Sequence, residues 1–230
     1  MKELKGKTII WNGDSICAGS PVWGNWATRI AEKNDTAFHN YAVGGGTITE
    51  NAPCHVASGA KRHSVSATLE KMQEEYPNAD YVIFEGGAND ADLLGTNRLG
   101  VITSGFEDTF DRETFCGALE SLFYRALSYW KGKKIGFVIA QKMGMEPYKY
   151  EARILYFEHV RKICTKWGIP CLDLWNGCYL NPFLPWMYDS TKSVEENRTE
   201  NTGYYLDGQH LTPLGYDVTT ELIDAWLKML

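Results

Sequence analysis

The sequence predicts a three-layer α/β/α sandwich, in which helices cover both faces of a parallel sheet of about five strands. Short apolar runs alternate with segments of helical period along the chain. The third run, residues 81–84, has four consecutive apolar residues and is typical of a strand buried on both faces. Strands separated by helical segments favour parallel pairing, because parallel neighbours require crossover connections.

Two strands and two helices are predicted before this central strand. Residues 8–11 form a short apolar run, and apolar residues return at helical spacing after Pro21. Residues 37–43 are the second predicted strand, which three glycines close. A second helical pattern then continues until Pro77 stops it. The two helical stripes consist of Trp23, Trp26, Ala27, Ile30 and Ala31, and of Val65, Leu69 and Met72.

The same alternation continues after the central strand. A helical stripe over 115–130 leads to an apolar run at 134–140, and a stripe over 152–167 leads to a short run at 170–174. The last helix is predicted to start near Pro213, because proline favours the first helical position. Thr212 is its predicted cap.

Two segments, 86–111 and 175–206, are too long and too rich in Gly, Asn and aromatic residues to be tight connections. Long loops in a compact domain commonly form lids or the walls of a binding site. No linker, internal repeat or low-complexity tract interrupts the chain, so residues 1–230 are predicted to form one domain.

Composition excludes several classes of function. A formal net charge of -6 leaves no broad basic face for a phosphate backbone, which argues against a nucleic-acid partner. No apolar segment reaches membrane-spanning length, and the N-terminus lacks the features of a signal peptide. A cytoplasmic location is therefore expected, unless a leader has been removed. The six cysteines include no C-x-x-C pair, so we interpret them as reduced thiols that serve mainly in packing.

Polar and glycine-rich segments follow the first three predicted strands. Asp14 and Ser15 come after the first strand, residues 44–47 after the second, and residues 87–90 after the third. In an open parallel sheet, ligands bind beyond the carboxyl ends of the strands. We therefore expect these three segments to lie together.

A fourth segment, YYLDGQHLTPLGYD, places Asp207 and His210 three residues apart, just before the last helix. This spacing lets the carboxylate reach the imidazole within one turn, which supplies a base and its orienting acid. The remaining histidines have no mutual ligand spacing, so no metal site is predicted. They are His39, His55, His63 and His159.

These four segments resemble the motifs of the SGNH hydrolases, the GDSL family of esterases and lipases, over most of the chain. Ser15 in NGDSICAG stands where that family has its nucleophile, with Ile16 in place of the name-giving leucine. Asn89 in GGAND matches the asparagine that completes the oxyanion hole. Asp207 and His210 in DGQHLTPLGY match the D-x-x-H pair.

The glycine-rich segment NYAVGGGTIT has more than one alignment. Gly45 matches the glycine whose amide helps to form the oxyanion hole in this family. A shift of one residue gives that role to Gly44 or to Gly46 instead. The three alternatives stay open at the level of sequence.

The resemblance implies a flavodoxin-like SGNH hydrolase fold and a serine esterase mechanism. Ser15 would be the nucleophile, His210 its base and Asp207 the group that orients the imidazole. The amides of Ser15 and Gly45 and the side chain of Asn89 would hold the oxyanion. This chemistry requires no metal and no organic cofactor.

Structural roles compete with catalytic ones at several neighbouring positions. We interpret Asp14 as a brace for the turn that carries the nucleophile, and Asp90 as a cap or a brace for its loop. Cys17 is a rival nucleophile if the histidine faces it, although a small buried thiol is the favoured interpretation. His55 and His63 are candidates for the border of the pocket.

The substrate class is left open by the sequence. A short acyl group on a carbohydrate is the first choice, because the late loop carries polar and aromatic residues. Lysophospholipid or thioester cleavage, and a non-catalytic flavodoxin-like binding protein, are the alternatives. The rings of residues 175–206 either stack on a sugar, hold an acyl chain or seal a subunit interface. The oligomeric state is not predicted.

Overall fold

The computed structural model describes residues 3–54, 60–94, 98–107, 109–144, 147–200 and 202–230. The strands among them are β1 (Thr8–Asn12), β2 (Ala37–Asn40), β3 (Tyr81–Glu85), β4 (Lys134–Ile139) and β5 (Cys171–Asp173). They form one sheet in the order β2-β1-β3-β4-β5, and every neighbouring pair is parallel. The predicted α/β fold with a five-stranded parallel sheet is therefore confirmed.

Helices connect the strands and form two groups. Among the described residues they are α1 (Ser15–Ala18), α2 (Trp26–Asn34), α3 (Leu69–Glu75), α4 (Ala88–Leu94), α5 (Phe115–Tyr129), α6 (Pro147–Trp167), α7 (Leu174–Gly177), α8 (Val194–Glu200) and α9 (Pro213–Leu227). Helix α2 packs against α9, whereas α5 and α4 both pack against α6. All five residues of β3 are buried, as expected for a central strand that is covered on both faces.

The second strand is shorter than predicted. It ends at Asn40 and not at Val43. The Asn40 side chain accepts a hydrogen bond from the Ala42 amide at 3.0 Å, which turns the chain away from the extended conformation. The glycines therefore follow a side-chain-stabilised turn.

Both long segments contain helices that the sequence analysis did not predict. Helix α4 lies in the first, and α7 and α8 lie in or border the second. Asp173 caps α7 by accepting from the Asn176 amide at 3.2 Å. Ser193 and Glu196 exchange reciprocal hydrogen bonds at the start of α8, which is a capping box. This S-x-x-E spacing was a readable signal for α8.

The cap of the last helix is confirmed. Thr212 precedes Pro213, and its hydroxyl oxygen accepts from the Gly215 amide at 3.3 Å. No helix in the described part of the chain combines the length and the apolar character needed to cross a lipid bilayer.

Candidate active site

The sheet order explains why three distant segments meet. Strands β2, β1 and β3 are direct neighbours and run in parallel, so their carboxyl ends share one edge. Ser15 follows β1, the glycine turn at 44–46 follows β2, and Asn89 lies in the first turn of α4 after β3. The crevice at this edge is where open α/β sheets bind ligands.

A continuous hydrogen-bond chain joins Ser15, His210 and Asp207. The His210 Nε2 atom lies 2.9 Å from Ser15 Oγ, and its Nδ1 atom lies 2.7 Å from Asp207 Oδ2. A carboxylate only accepts, so Nδ1 carries the proton and Nε2 offers its lone pair to the serine hydroxyl. Asp207 Oδ1 also accepts from the Gln209 and His210 amides, which bends the D-x-x-H segment around the carboxylate.

The turn that presents Ser15 is built by its neighbours. Asp14 caps α1, and its Oδ1 atom accepts from the Ile16 amide at 2.9 Å. The predicted structural role of Asp14 is thus confirmed. Gly13 has no room for a side chain, because a Cβ there would lie 2.6 Å from Glu85 Oε2. The strand therefore approaches β3 closely just before the nucleophile turn.

Among the described residues, two of the three amides of the glycine turn, those of Gly44 and Gly45, have no acceptor. The Gly46 amide donates to Val43 O at 2.9 Å within the turn, so it is already engaged. Gly45 adopts a φ of 75°, and its carbonyl accepts from Arg62 Nη1 at 2.7 Å. Among the described residues, no acceptor takes the amide hydrogens of Gly45 or Ser15. Of the three alignments, those through Gly44 and Gly45 remain.

The Asn89 side chain lies between two acceptors. Its Nδ2 atom donates to Asp14 Oδ2 at 3.1 Å and to Gly46 O at 3.0 Å. Both neighbours only accept, so they fix which end of the amide faces the site. Both amide hydrogens are in use in this state, and a substrate oxygen must therefore share or replace one of these acceptors.

Asp90 braces the loop after the glycines, as predicted. Its carboxylate accepts from the Ile48 and Thr49 amides, both at 2.9 Å, and from the Thr49 hydroxyl at 2.5 Å. The loop after β2 is thus fastened to α4. This connection keeps the glycine turn close to Asn89.

A buried ion pair holds the segment between Asp207 and His210, and sequence reasoning missed it. The fully buried Arg153 of α6 forms two hydrogen bonds with Asp92 of α4, at 2.9 and 2.6 Å. Arg153 Nη2 also donates to Gln209 Oε1 at 3.0 Å, while Gln141 Nε2 donates to the Gln209 carbonyl at 3.0 Å. The readable signal was a charged residue on the apolar stripe of α6.

The pKa of Asp207 is lowered and the pKa of His210 is raised, so the two values move apart. Burial lowers the pKa of His210, but the hydrogen bond and the charge of Asp207, with a contribution from Asp14, raise it above its ordinary value. Burial raises the pKa of Asp207, but the hydrogen bonds and charge of His210, together with the bond from the Gln209 amide, outweigh burial, so the net shift is downward. This pattern favours an ionised Asp207 that stabilises a protonated His210.

The other candidate groups occupy structural positions. Burial raises the pKa of the Cys17 thiol well above its ordinary value, and the thiol contacts Asn40, so a reactive thiolate is disfavoured. His63 Nε2 lies 3.2 Å from Asn12 Oδ1, behind the glycine turn. His55 lies outside the described residues. The described part of the chain contains no group of three His, Cys, Asp or Glu side chains placed to hold a metal ion.

The rings of the late loop divide between core and surface. Trp175 and Tyr205 are buried, and the Tyr205 hydroxyl donates to Lys142 O at 2.6 Å. Three rings are exposed, namely Tyr179, Phe183 and Trp186. The Tyr188 ring lies against Gly208, between Asp207 and His210. The ring is so close that a Cβ added at Gly208 would lie 3.0 Å from it. A ring of this loop therefore lies against the segment that joins Asp207 to His210.

Comparison with solved structures finds the same fold in esterases. A protein from Lactobacillus plantarum is 19% identical, with 98% of each chain covered and a TM-score of 0.73. A carbohydrate acetylesterase from Sinorhizobium meliloti is 13% identical over 97% of this chain and 99% of that one, with a TM-score of 0.68. The M. smegmatis aryl esterase is 14% identical over 98% and 100%, with a TM-score of 0.65.

Sequence comparison reaches the level of the family. Curated protein sequences contain no significant match to this chain. The model of the GDSL-like lipase/acylhydrolase family matches residues 12–218, which include all the residues of the candidate site. This chain therefore belongs to the GDSL-like lipase/acylhydrolase family.

Proposed function

We propose that this protein is a serine esterase that cleaves carboxylic esters through an acyl-enzyme intermediate. The observation that carries the proposal is the hydrogen-bond chain from Ser15 through His210 to Asp207, with distances of 2.9 and 2.7 Å. Family membership supports an ester-hydrolysing enzyme. The three side chains have the geometry of a nucleophile, a general base and an orienting acid.

Acylation begins when Ser15 Oγ attacks the carbonyl carbon of the ester. His210 Nε2 takes the serine proton, and Asp207 stabilises the imidazolium that forms. As the tetrahedral intermediate collapses, the bond to the alcohol breaks and His210 returns the proton to the leaving oxygen. Water then attacks the acyl-enzyme with His210 again as base, which releases the acid and restores Ser15.

The amides of Ser15 and Gly45 and the side chain of Asn89 are the proposed oxyanion donors. Both backbone amides are unused among the described residues, and Gly45 is held by the bond from Arg62 to its carbonyl. Asn89 donates to Gly46 O in the free protein, so it must redirect that hydrogen as the oxyanion forms. Hydrogen-bond donors at an oxyanion act mainly in the transition state, where the negative charge develops.

Asn89→Ala is expected to lower kcat by about a hundred- to a thousand-fold, which corresponds to roughly 3 to 4 kcal/mol. The Michaelis constant should barely change, because the donor acts where charge develops. Steady-state kinetics and the thermal midpoint are measured on the same preparation.

Thr49→Val is the matched control for Asn89→Ala. It removes the hydroxyl that donates to Asp90 in the adjoining buried network, but it touches no proposed oxyanion donor. It should lower the thermal midpoint while kcat stays near that of the wild type, because the Ile48 and Thr49 amides still bond Asp90 and hold the loop in place. An unchanged kcat in well-folded Asn89→Ala protein would remove Asn89 from the oxyanion hole.

The pH profile tests His210 as the base. Only the neutral imidazole accepts the serine proton, so kcat/KM should rise with pH through the His210 ionisation. The pKa of His210 is raised from its ordinary value of 6.5, so the midpoint of this rise should lie above that value. A flat profile from mildly acidic to neutral pH, with chemistry limiting the rate, contradicts a histidine base.

Active-site labelling tests the proposal as a whole. A fluorophosphonate should add covalently to the wild-type protein, and peptide mass spectrometry should locate the adduct on Ser15. Cys17 is the matched competitor, since it lies two residues away on the same turn. An adduct on Cys17, or no adduct together with no esterase activity, overturns the assignment.

A short acyl group on a carbohydrate is the proposed substrate class. The support is the ring of Tyr188 against Gly208 and the exposed aromatic residues Tyr179 and Trp186 in the same loop. One structural neighbour is a carbohydrate acetylesterase and another is an aryl esterase. At these sequence identities, the similarity to the two structures shows a shared fold and nothing about the substrate. The proposed substrate class therefore rests on the aromatic residues of the late loop.

A panel of p-nitrophenyl esters, measured beside acetylated saccharides, tests this substrate class. Acetyl and butyryl esters should give higher kcat/KM than lauroyl or longer esters. The reason is that polar loops and aromatic rings, and not a long apolar channel, are proposed to form the walls of the site. Acetylated saccharides should give a higher kcat/KM than p-nitrophenyl acetate, because the proposed role of the rings is to bind the sugar. A kcat/KM that increases up to long acyl chains would favour a lysophospholipase or thioesterase.

A further inference from the structure

Glu85 is a buried carboxyl group that the proposed mechanism does not use. It is the last residue of β3 and only 1% exposed. Its Oε2 atom accepts the Asp14 amide at 3.0 Å, whereas its Oε1 atom accepts no hydrogen bond from any described residue. A buried carboxylate oxygen without a donor is costly, but a hydroxyl oxygen that donates its own proton is not.

The group that can receive this proton is Asp14. Its carboxyl group is also buried, at 1% exposure, and its own backbone amide donates to Glu85 Oε2 at 3.0 Å, so the two side chains are neighbours. Two ionised carboxylates in contact inside a protein repel each other strongly. A single proton shared between the two groups would remove this repulsion and leave the pair with one negative charge.

The hydrogen bonds decide which member of the pair is ionised. Asp14 accepts from the Ile16 amide at 2.9 Å and from Asn89 Nδ2 at 3.1 Å, and both bonds favour its charged form. Glu85 accepts the Asp14 amide at 3.0 Å, with the Cys17 amide as a weaker second donor, and its Oε1 atom has no partner among the described residues. Burial raises the pKa of both carboxyl groups, but the charge of Asp14 adds to burial at Glu85, so only the pKa of Glu85 lies well above its ordinary value.

Two further titratable groups face Glu85, and neither offsets its charge. Cys17 lies on the same turn as Asp14, and Tyr216 lies on α9. Burial raises the pKa of both, so both are neutral near pH 7. An ionised Glu85 would thus face Asp14 without compensation.

We propose that Glu85 is held as a neutral carboxylic acid that donates its proton to the Asp14 carboxylate, and that it thereby positions the nucleophile turn and the Asn89 amide. Its role in turnover rests on the proposed serine esterase mechanism, whereas its protonation does not. Glu85 touches no reacting atom, so it is a positioning residue. A neutral Glu85 also keeps a second negative charge away from the developing oxyanion.

Infrared spectroscopy tests the protonation without any assay of activity. Wild-type protein at neutral pH should show the carbonyl stretch of a protonated carboxylic acid, shifted in D₂O, and Glu85→Gln should lack that band. If Glu85→Gln does not fold, carbon-13 NMR of wild-type protein labelled in glutamate should show one side-chain carboxyl that stays protonated at neutral pH. A wild-type spectrum without such a group overturns the proposal.

Kinetics of two variants test the positioning role. Glu85→Leu removes both bonds to Asp14, and kcat should fall by about ten- to a hundred-fold with little change in KM, because the turn and Asn89 lose their alignment. Glu85→Gln accepts the Asp14 amide and donates to its carboxylate, as the neutral acid does, so it should restore kcat to within about three-fold of wild type.

The pH profile separates the two charge states of Glu85. If Glu85 is neutral, Glu85→Gln removes no charge, and the acid limb of kcat/KM should stay at the wild-type position. If the acid limb of Glu85→Gln moves to lower pH, the substitution has removed a negative charge near His210. If the kcat of Glu85→Gln is as low as that of Glu85→Leu, glutamine cannot replace the carboxylic acid. Either result overturns the proposal. An inactive wild type would instead refute the esterase function, and the infrared band would still decide the protonation.

Discussion

Ser15→Ala is expected to lower kcat by about five to six orders of magnitude, because no other group is placed to form the acyl-enzyme. The Ser15 side chain forms its hydrogen bond with His210, so the fold should not depend on it. Asp14 still caps the turn through its bond to the Ile16 amide. Turnover of p-nitrophenyl acetate and the thermal midpoint are measured together.

Cys17→Ala is the matched control for Ser15→Ala. The Cys17 thiol is buried on the same turn, and it makes one long contact with Asn40, at 3.8 Å. This variant should lose some stability but keep its turnover. Wild-type turnover in Ser15→Ala, or loss of turnover in a well-folded Cys17→Ala, would show that the nucleophile is misassigned.

Asp207→Asn should have the second-largest effect, with kcat lower by about ten-thousand-fold. The asparagine amide can donate to His210 Nδ1, and the imidazole proton then lies on Nε2. In this tautomer Nε2 cannot accept the proton of the Ser15 hydroxyl. The oxygen that accepts from the Gln209 and His210 amides is retained, so the fold should survive. The variant separates the charge of Asp207 from its bonds to the backbone.

The pH dependence of Asp207→Asn has a defined direction. Asp207 raises the pKa of His210 through its hydrogen bond and its charge, and burial opposes it. Removing the carboxylate therefore lowers the His210 pKa, so the residual kcat/KM should rise at lower pH than in the wild type. An acid limb at the wild-type pH would contradict this arrangement.

Asp217→Asn serves as the control carboxylate for Asp207→Asn. Asp217 lies on α9 and pairs with Arg29 at the surface. Exposed ion pairs contribute little to stability, so kcat and its pH profile should match those of the wild type. A comparable loss in this variant would point to an effect of net charge and not to a triad.

Local patterns accounted for much of the fold. The apolar run before Glu85 predicted the central strand, and Thr212 predicted the cap of the last helix. Such signals act within a few residues, so they can be read directly. The capping box at Ser193 and Glu196 is equally local, and it was missed because the segment was interpreted by its composition alone.

The contact between Asp207 and His210 could be anticipated because it depends on two residue types at short spacing. The three residues from Asp207 to His210 allow the carboxylate to bond the imidazole within one turn, and the structure contains that bond. The alignment through the glycines could not be chosen in this way. It was narrowed by a tertiary detail, namely that the Gly46 amide already bonds Val43.

The sequence by itself determined the order of strands and helices, the caps and the types of residue at the strand ends. Only the tertiary structure decided which distant groups meet. Glu85 at the end of β3 bonds Asp14, which follows the neighbouring strand β1, and Arg153 of α6 bonds Asp92 of α4. The physical reason is that these partners depend on strand register and helix packing, so separations of about sixty or seventy residues along the chain become hydrogen-bond distances.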